Sequence, residues 1–151
     1  MMVVLILIGL SMLLVTPSLS RFSKTVELKW AAKKISAILR YYRSEAVNQG
    51  RVYQILFDTD LRELRVEPIE EKEEDEGTKD KSDPKRYTLP KGVDIKEVKV
   101  NSPQYPSDYS VIEFYPNGGS NGGMIFLDSQ GQKGYRIKVH FLTGIVEIEK
   151  V

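Results

Sequence analysis

Hydrophobic and polar positions follow two regimes that meet at Gly50. Met1 to Val15 is an uncharged apolar run closed by Thr16, Pro17 and Ser18, and the first charge is Arg21. From Phe22 the apolar residues Phe22, Val26, Ala31, Ile35, Ile38, Leu39, Tyr42 and Ala46 keep to one face of a 3.6-residue period. Lys24, Lys29, Lys33, Lys34, Arg40 and Arg43 are spread around the remainder. Ser20 or Ser23 would cap a fresh start, and Gly50 is well placed to end the last turn. Because the pattern enters from the apolar run without a spacer, the two predict one long helix that Pro17 kinks. The stripe reads as an ordinary core-facing face that packs on the strands behind it.

After Gly50 the period becomes two. Val52 to Phe57 and Leu61 to Glu67 flank Asp58-Thr59-Asp60 and predict a hairpin. The following stretch, Glu70 to Lys85 with a loop expected over 70–86, holds almost nothing apolar and predicts a mobile, solvated connection. Strand patterns resume at Tyr87 to Leu89 and at Val93 to Val100, where a change of parity predicts a bulge near Lys96 and Glu97. Val111 to Tyr115 and Met124 to Leu127 are joined by a glycine-rich segment, Pro116 to Gly123, read as a wide hairpin turn. Two last strands, Tyr135 to Phe141 and Ile145 to Lys150, surround Thr143-Gly144. A two-residue turn there would pair Phe141 with Val146 and Val139 with Ile148 on one face, and His140 with Glu147 and Lys138 with Glu149 on the other. Thr143 is a poor residue for such a turn, which leaves a longer loop open. The expected fold is α+β: a long kinked N-terminal helix packed on an antiparallel β-sheet head. Its parts are a stem over 1–20, an amphipathic helix over 21–50 and a β-rich head over 51–151.

With 151 residues, 41% of them hydrophobic and 28% charged, one modest core is expected behind the stem. The chain has no cysteine, which excludes disulfides, thiolate metal sites and thiol nucleophiles. A net charge of +1 predicts no strong attraction to nucleic acid, although the helix concentrates Lys and Arg on its surface. Gly118-Gly119-Ser120-Asn121-Gly122 fits the G-x-S-x-G pattern, with Asp128 and His140 following in the order α/β-hydrolases use. That pattern needs a strand, a sharp turn and then a helix, whereas a second strand follows here. The same glycines lack the lysine of a phosphate-binding loop. Asp58, Asp60 and the acidic run have no calcium-loop spacing. His140 belongs on a charged outer sheet face. No catalytic, cofactor-binding or metal-ligating residue is therefore expected, and no cofactor.

The stem is the part with a functional reading. Met2, Val3, Val4, Leu5, Ile6, Leu7, Ile8, Leu10, Leu13, Leu14 and Pro17 form a membrane and assembly stem. Fifteen helical residues rise about 22 Å, against a bilayer core of about 30 Å that asks for roughly 20 residues. A signal peptide is the alternative, with Ser18-Leu19-Ser20 as a cleavage site. No basic residue precedes the apolar run, however, and the helical pattern continues past that cut.

The run Met2 to Leu10 leading to Val15-Thr16-Pro17-Ser18, followed by Leu39-Arg40-Tyr41-Tyr42-Arg43-Ser44-Glu45-Ala46-Val47-Asn48-Gln49-Gly50-Arg51, resembles the type IV pilin-like proteins. Phe114-Tyr115-Pro116-Asn117-Gly118-Gly119-Ser120 and Thr143-Gly144-Ile145-Val146 narrow the resemblance to minor pseudopilin H of type II secretion systems and the related FimT-type minor pilins. It implies a structural subunit without enzyme activity, held in the bacterial inner membrane by a single pass with its head in the periplasm. Its implied partners are minor and major pseudopilins, inner-membrane lipid and an assembly platform, in a short pseudopilus that helps drive folded proteins across the outer membrane. The family's basic leader, peptidase site and nearby glutamate have no counterpart here, and a start assigned too far downstream is the expected reason. Seven basic residues between Arg21 and Arg43 would by themselves favour a cytoplasmic head. The basic leader that the family places opposite them restores a periplasmic one. A minor pilin of a type IV pilus, acting in assembly or DNA binding, is the alternative, and a membrane-tethered hydrolase a distant third.

Overall fold

The computed structural model describes residues 2–69, 83–105, 107–129 and 134–151, with the side chains of residues 2 and 10–22 outside the description. Helix α1 (Met2–Gln49) runs without interruption through Pro17. No separate start forms at Ser20 or Ser23; Ser23 instead bonds Glu27 one turn along. At the other end Gly50 adopts φ +64° and the Arg51 N–H donates to the Ala46 carbonyl. This is the six-to-one bond of a helix stop, in which the left-handed residue suits glycine.

Leu28, Ala31, Ala32, Ile35, Ile38, Leu39, Tyr42 and Ala46 of α1 are all buried. Val26, expected in that stripe, is half exposed at 51%. The five-residue step from Val26 to Ala31 swings about 140° around the helix, off the face that Leu28 and Ala31 define. Leu28 and Ala32 fill the places that a strict reading from Val26 would miss.

Among the described residues eight strands follow, and the expected antiparallel head is built as two four-stranded sheets. They are β1 (Val52–Asp58), β2 (Glu63–Ile69), β3 (Lys85–Thr88), β4 (Asp94–Val100), β5 (Ser110–Phe114), β6 (Gly123–Asp128), β7 (Tyr135–Val139) and β8 (Val146–Lys150). One sheet has the order β3-β2-β1-β5 and the other β4-β6-β7-β8. The helix touches β1 and β5 of the first and β6, β7 and β8 of the second. Both contribute to one apolar cluster with the helix, through Ile55, Phe57, Leu64 and Ile112 on one side and Ile125, Leu127, Ile137 and Val139 on the other.

The predicted bulge is present, as a register shift between Ile95 and Glu97. The glycine-rich segment is not a hairpin turn, because β5 pairs with β1 and β6 with β4 and β7. Gly118 at φ +82° and Gly122 at φ +73° turn the chain twice, carrying it from one sheet to the other. Of the expected loop 70–86, residues 70–82 lie outside the described ones. Lys85 and Arg86 pair with Val66 and Arg65, so β3 starts earlier than its apolar residues indicate. An edge strand can carry long charged side chains to solvent while its backbone still pairs.

The terminal hairpin is shifted by two residues from the tight-turn register: Val139 faces Val146 and Lys138 faces Glu147. His140 N–H donates to the Ile145 carbonyl, closing a longer loop with Leu142 at φ +70° and Gly144 at φ +65°. Apolar and charged pairs still segregate by face, because a shift of two preserves parity. Phe141, freed from the ladder, is 60% exposed.

Helix burial gives a test. Ile35→Ala should lower the unfolding free energy by about 3 kcal/mol, the usual cost of a buried aliphatic truncation, and Val26→Ala by less than about 0.5 kcal/mol. Urea unfolding measures both, and equal losses would contradict the orientation of the helix.

Candidate assembly site

Val3, Val4, Leu5, Ile6, Leu7 and Ile8 lie on α1 with exposures from 52% to 71%. Six consecutive residues cover more than a full turn, so this part of the helix is apolar all round. A helix of that kind is at rest only in surroundings that are apolar on every side, such as lipid or other helices. The side chains of Met2, Leu10, Leu13, Leu14 and Pro17 lie outside the described residues, and with them the kink expected at Pro17. Among the described residues, no helix is long and apolar enough to cross a membrane.

Where the helix meets the head, cationic side chains fix it through backbone oxygens. Arg40 donates from Nη2 to the Val146 carbonyl at 2.9 Å. The Arg43 Nε–H is shared between the Gly118 and Thr143 carbonyls, both at 3.0 Å. One arginine thus joins the helix, the glycine crossover and the terminal loop. Gly144 has to be glycine for this, since a Cβ there would stand 2.6 Å from the Gly118 oxygen and 3.0 Å from the Arg43 Nε. Tyr42 packs against Tyr53 and bonds the Tyr87 hydroxyl at 2.9 Å. Burial, then the Tyr87 contact, push its phenol well above the ordinary tyrosine range.

A second polar centre gave no signal in the sequence. Glu113, on β5, is fully buried, because the segment 101–105 covers the outer face of the first sheet. Its carboxylate accepts from Gln54 Nε2 at 2.9 Å, the Gln104 N–H at 2.7 Å, the Tyr105 N–H at 3.0 Å and the Tyr115 hydroxyl at 2.8 Å. Burial, reinforced by that bond and the charge of Glu113, pushes the Tyr115 phenol well up. Beside it, Asn121 accepts from the Glu113 N–H and donates to the carbonyls of Asn101 and Val111, tying the crossover to β5 and to the residue that follows β4. Strand alternation places Glu113 opposite Ile112 and Phe114; only the covering segment makes that face an interior.

The hydrolase pattern does not assemble. Ser120 is 1% exposed and its Oγ accepts from the Gly122 N–H. Asp128 lies at the far end of β6 from the glycine turn, roughly 17 Å along the strand. His140 Nε2 meets Glu147 at 2.8 Å. Asp58 caps its own turn through the N–H groups of Asp60 and Leu61 and pairs with Arg65. Among the described residues, no cluster of His, Asp or Glu gathers as a metal site.

A long helix, apolar at its free end and buried at the other against antiparallel sheets, defines a pilin-like protein. Solved structures agree on that fold. The minor pseudopilin EpsH from the type 2 secretion system of Vibrio cholerae superposes with a TM-score of 0.59 at 17% identity, over 82% of this chain and 97% of that one. The type IV minor pilin FimU of Pseudomonas aeruginosa gives 0.57 at 21% identity, over 81% and 92%. The type II secretion system protein H of Xanthomonas campestris pv. campestris is 27% identical over 146 residues, 97% of this chain and 77% of that protein. A profile of the family described as type II transport protein GspH matches residues 31–143. The chain belongs to the GspH family, a family of structural, pilin-like proteins of type II transport that assemble with other pseudopilins. The matched span includes the Arg43 junction, the Glu113 centre and the glycine crossover.

Two outcomes test this geometry. Arg43→Ala removes a charge-assisted bond shared by two carbonyls and should cost about 2 kcal/mol, measured by thermal or urea unfolding. An unchanged stability would show that the junction holds without it. The His140 contact holds the exposed Glu147 carboxyl below the ordinary glutamate range. A depressed folded value means that its contribution is present above the unfolded pKa and is lost as pH falls through the folded one. NMR titration should therefore find Glu147 protonating at lower pH than an ordinary glutamate, and H140A should move it back up.

Proposed function

We propose that this GspH-family chain acts as a minor pseudopilin, a structural subunit of a type II secretion pseudopilus that helps export folded proteins across the outer membrane. It performs no catalysis. Before assembly its N-terminal helix is held in inner-membrane lipid by a single pass with the head in the periplasm, and an assembly platform draws it into the filament with minor and major pseudopilins. The observation that carries this reading is the division of one helix into two environments. From Leu28 to Ala46 one face is taken up by the chain's own sheets, whereas Val3 to Ile8 has no such cover. Family membership supports the choice of secretion. The comparable fit of FimU keeps a minor-pilin role as the second reading, because the fold serves both.

Single cysteines introduced at Val3, Ile6 or Leu7 in the chromosomal copy should crosslink to the helices of other pilin-like subunits in cells making the whole machinery. Deleting the gene should impair export of secreted proteins. A deletion that leaves secretion intact and abolishes pili would turn the assignment to the second reading. Absence of any crosslink to such subunits would remove the filament role.

A further inference from the structure

The outer face of the β4-β6-β7-β8 sheet holds a groove of about 450 Å³. In register across it run Lys99, Met124 and Lys138, so two cationic side chains flank an apolar one. Val100, His140 and Phe141 close its end toward the terminal loop. Other charges of this face have partners: Arg136 with Glu149, Lys96 with Asp128, His140 with Glu147, and Asp94 with Arg62. Glu147, the residue opposite Lys138, accepts its hydrogen bond from His140 and feels Lys138 only as a nearby charge, and among the described residues no carboxylate lies within ion-pair distance of Lys138. Lys99 lies over the Phe126 ring at 5.6 Å with only the exposed Glu97 at 3.4 Å beside it.

The loop beside the groove is held in a costly shape. Leu142 sits at φ +70°, a strained conformation for a side chain of this size, and it is 70% exposed beside the exposed Phe141. The loop is fixed from below by the Leu142 N–H on the Ser120 carbonyl and by Arg43 on the Thr143 carbonyl. Among the described residues nothing covers these two side chains, and a partner that did so would gain their burial.

We propose that this groove binds an extended segment of a partner protein that carries a carboxylate next to a large apolar side chain. The carboxylate lies between the Lys99 and Lys138 ammonium groups above Met124, and the apolar side chain packs on Phe141 and Leu142. Charge complementarity selects this occupant, since a basic or neutral segment would leave Lys138 unpaired under cover. The inference concerns the head alone and stands or falls separately from the role of the stem.

The test is an NMR titration of the isotopically labelled full chain in non-ionic detergent with the peptide acetyl-Glu-Leu-Glu-Leu-Glu-amide. Shifts should be confined to Lys99, Met124, Lys138, Phe141 and their neighbours. The Gln-for-Glu peptide should bind about tenfold more weakly or worse, and the Lys-for-Glu peptide should not bind. Lys138→Glu should abolish binding of the acidic peptide while leaving shifts elsewhere in the head unchanged. No shifts at millimolar acidic peptide, equal binding of the Gln peptide, or full binding by Lys138→Glu would each overturn the proposal. So would the same shifts on raising protein concentration without peptide, which would make a second copy the occupant.

Discussion

Burial of one helix face against two separate sheets is the constraint on which the rest of the molecule depends. Neither sheet closes on itself, and each turns a buried apolar set toward α1, Ile55 and Ile112 in one and Ile125 and Ile137 in the other. Four-stranded sheets with one apolar face need a partner layer. Here a single helix supplies it to both, with Ile35, Leu39 and Tyr42 in the cluster that collects Ile55 and Ile112 from one sheet and Ile125 and Ile137 from the other. Using that face for the head leaves the first turns of the same helix without internal cover. In the proposed role, stability and assembly therefore belong to different lengths of one element.

The polar residues at the helix junction and the glycine crossover hold backbone in place. Arg40 and Arg43 end on carbonyl groups of the terminal hairpin and the glycine crossover. Asn121 and Glu113 collect N–H and C=O groups that the crossover and the segment 101–105 cannot satisfy within a ladder. Buried backbone polar groups without partners cost about 1–3 kcal/mol each, so a chain that leaves one sheet to join another needs such residues where it crosses. This explains why Arg43, Asn121 and the glycines meet at the crossover.

Much of this was legible in the sequence. The period of 3.6 giving way to 2 at Gly50 marked the helix and head, the parity change at Lys96 marked the bulge, and the stretch from Leu39 to Gly50 carried the family. What was not legible depended on tertiary context. The glycine segment between two apolar strands looks like a hairpin turn unless the partners of β5 and β6 are known. The tight register at Thr143-Gly144 satisfied every face rule, because those rules do not distinguish a shift of two. Val26 fitted an apolar stripe by type but not by angle. Glu113 looked like an outward strand residue because nothing local reveals that segment 101–105 lies over it.

The central claim is that one helix makes the two sheets a single cooperative unit. Its most direct test is equilibrium urea unfolding of the full chain in detergent, followed by NMR at amides of β1 and β5 in one sheet and of β6 and β7 in the other, with and without Ile35→Ala. The account predicts one midpoint for all four strands, moved equally by the substitution. A sheet that unfolds at its own midpoint, or that keeps its midpoint when Ile35 is truncated, would contradict it.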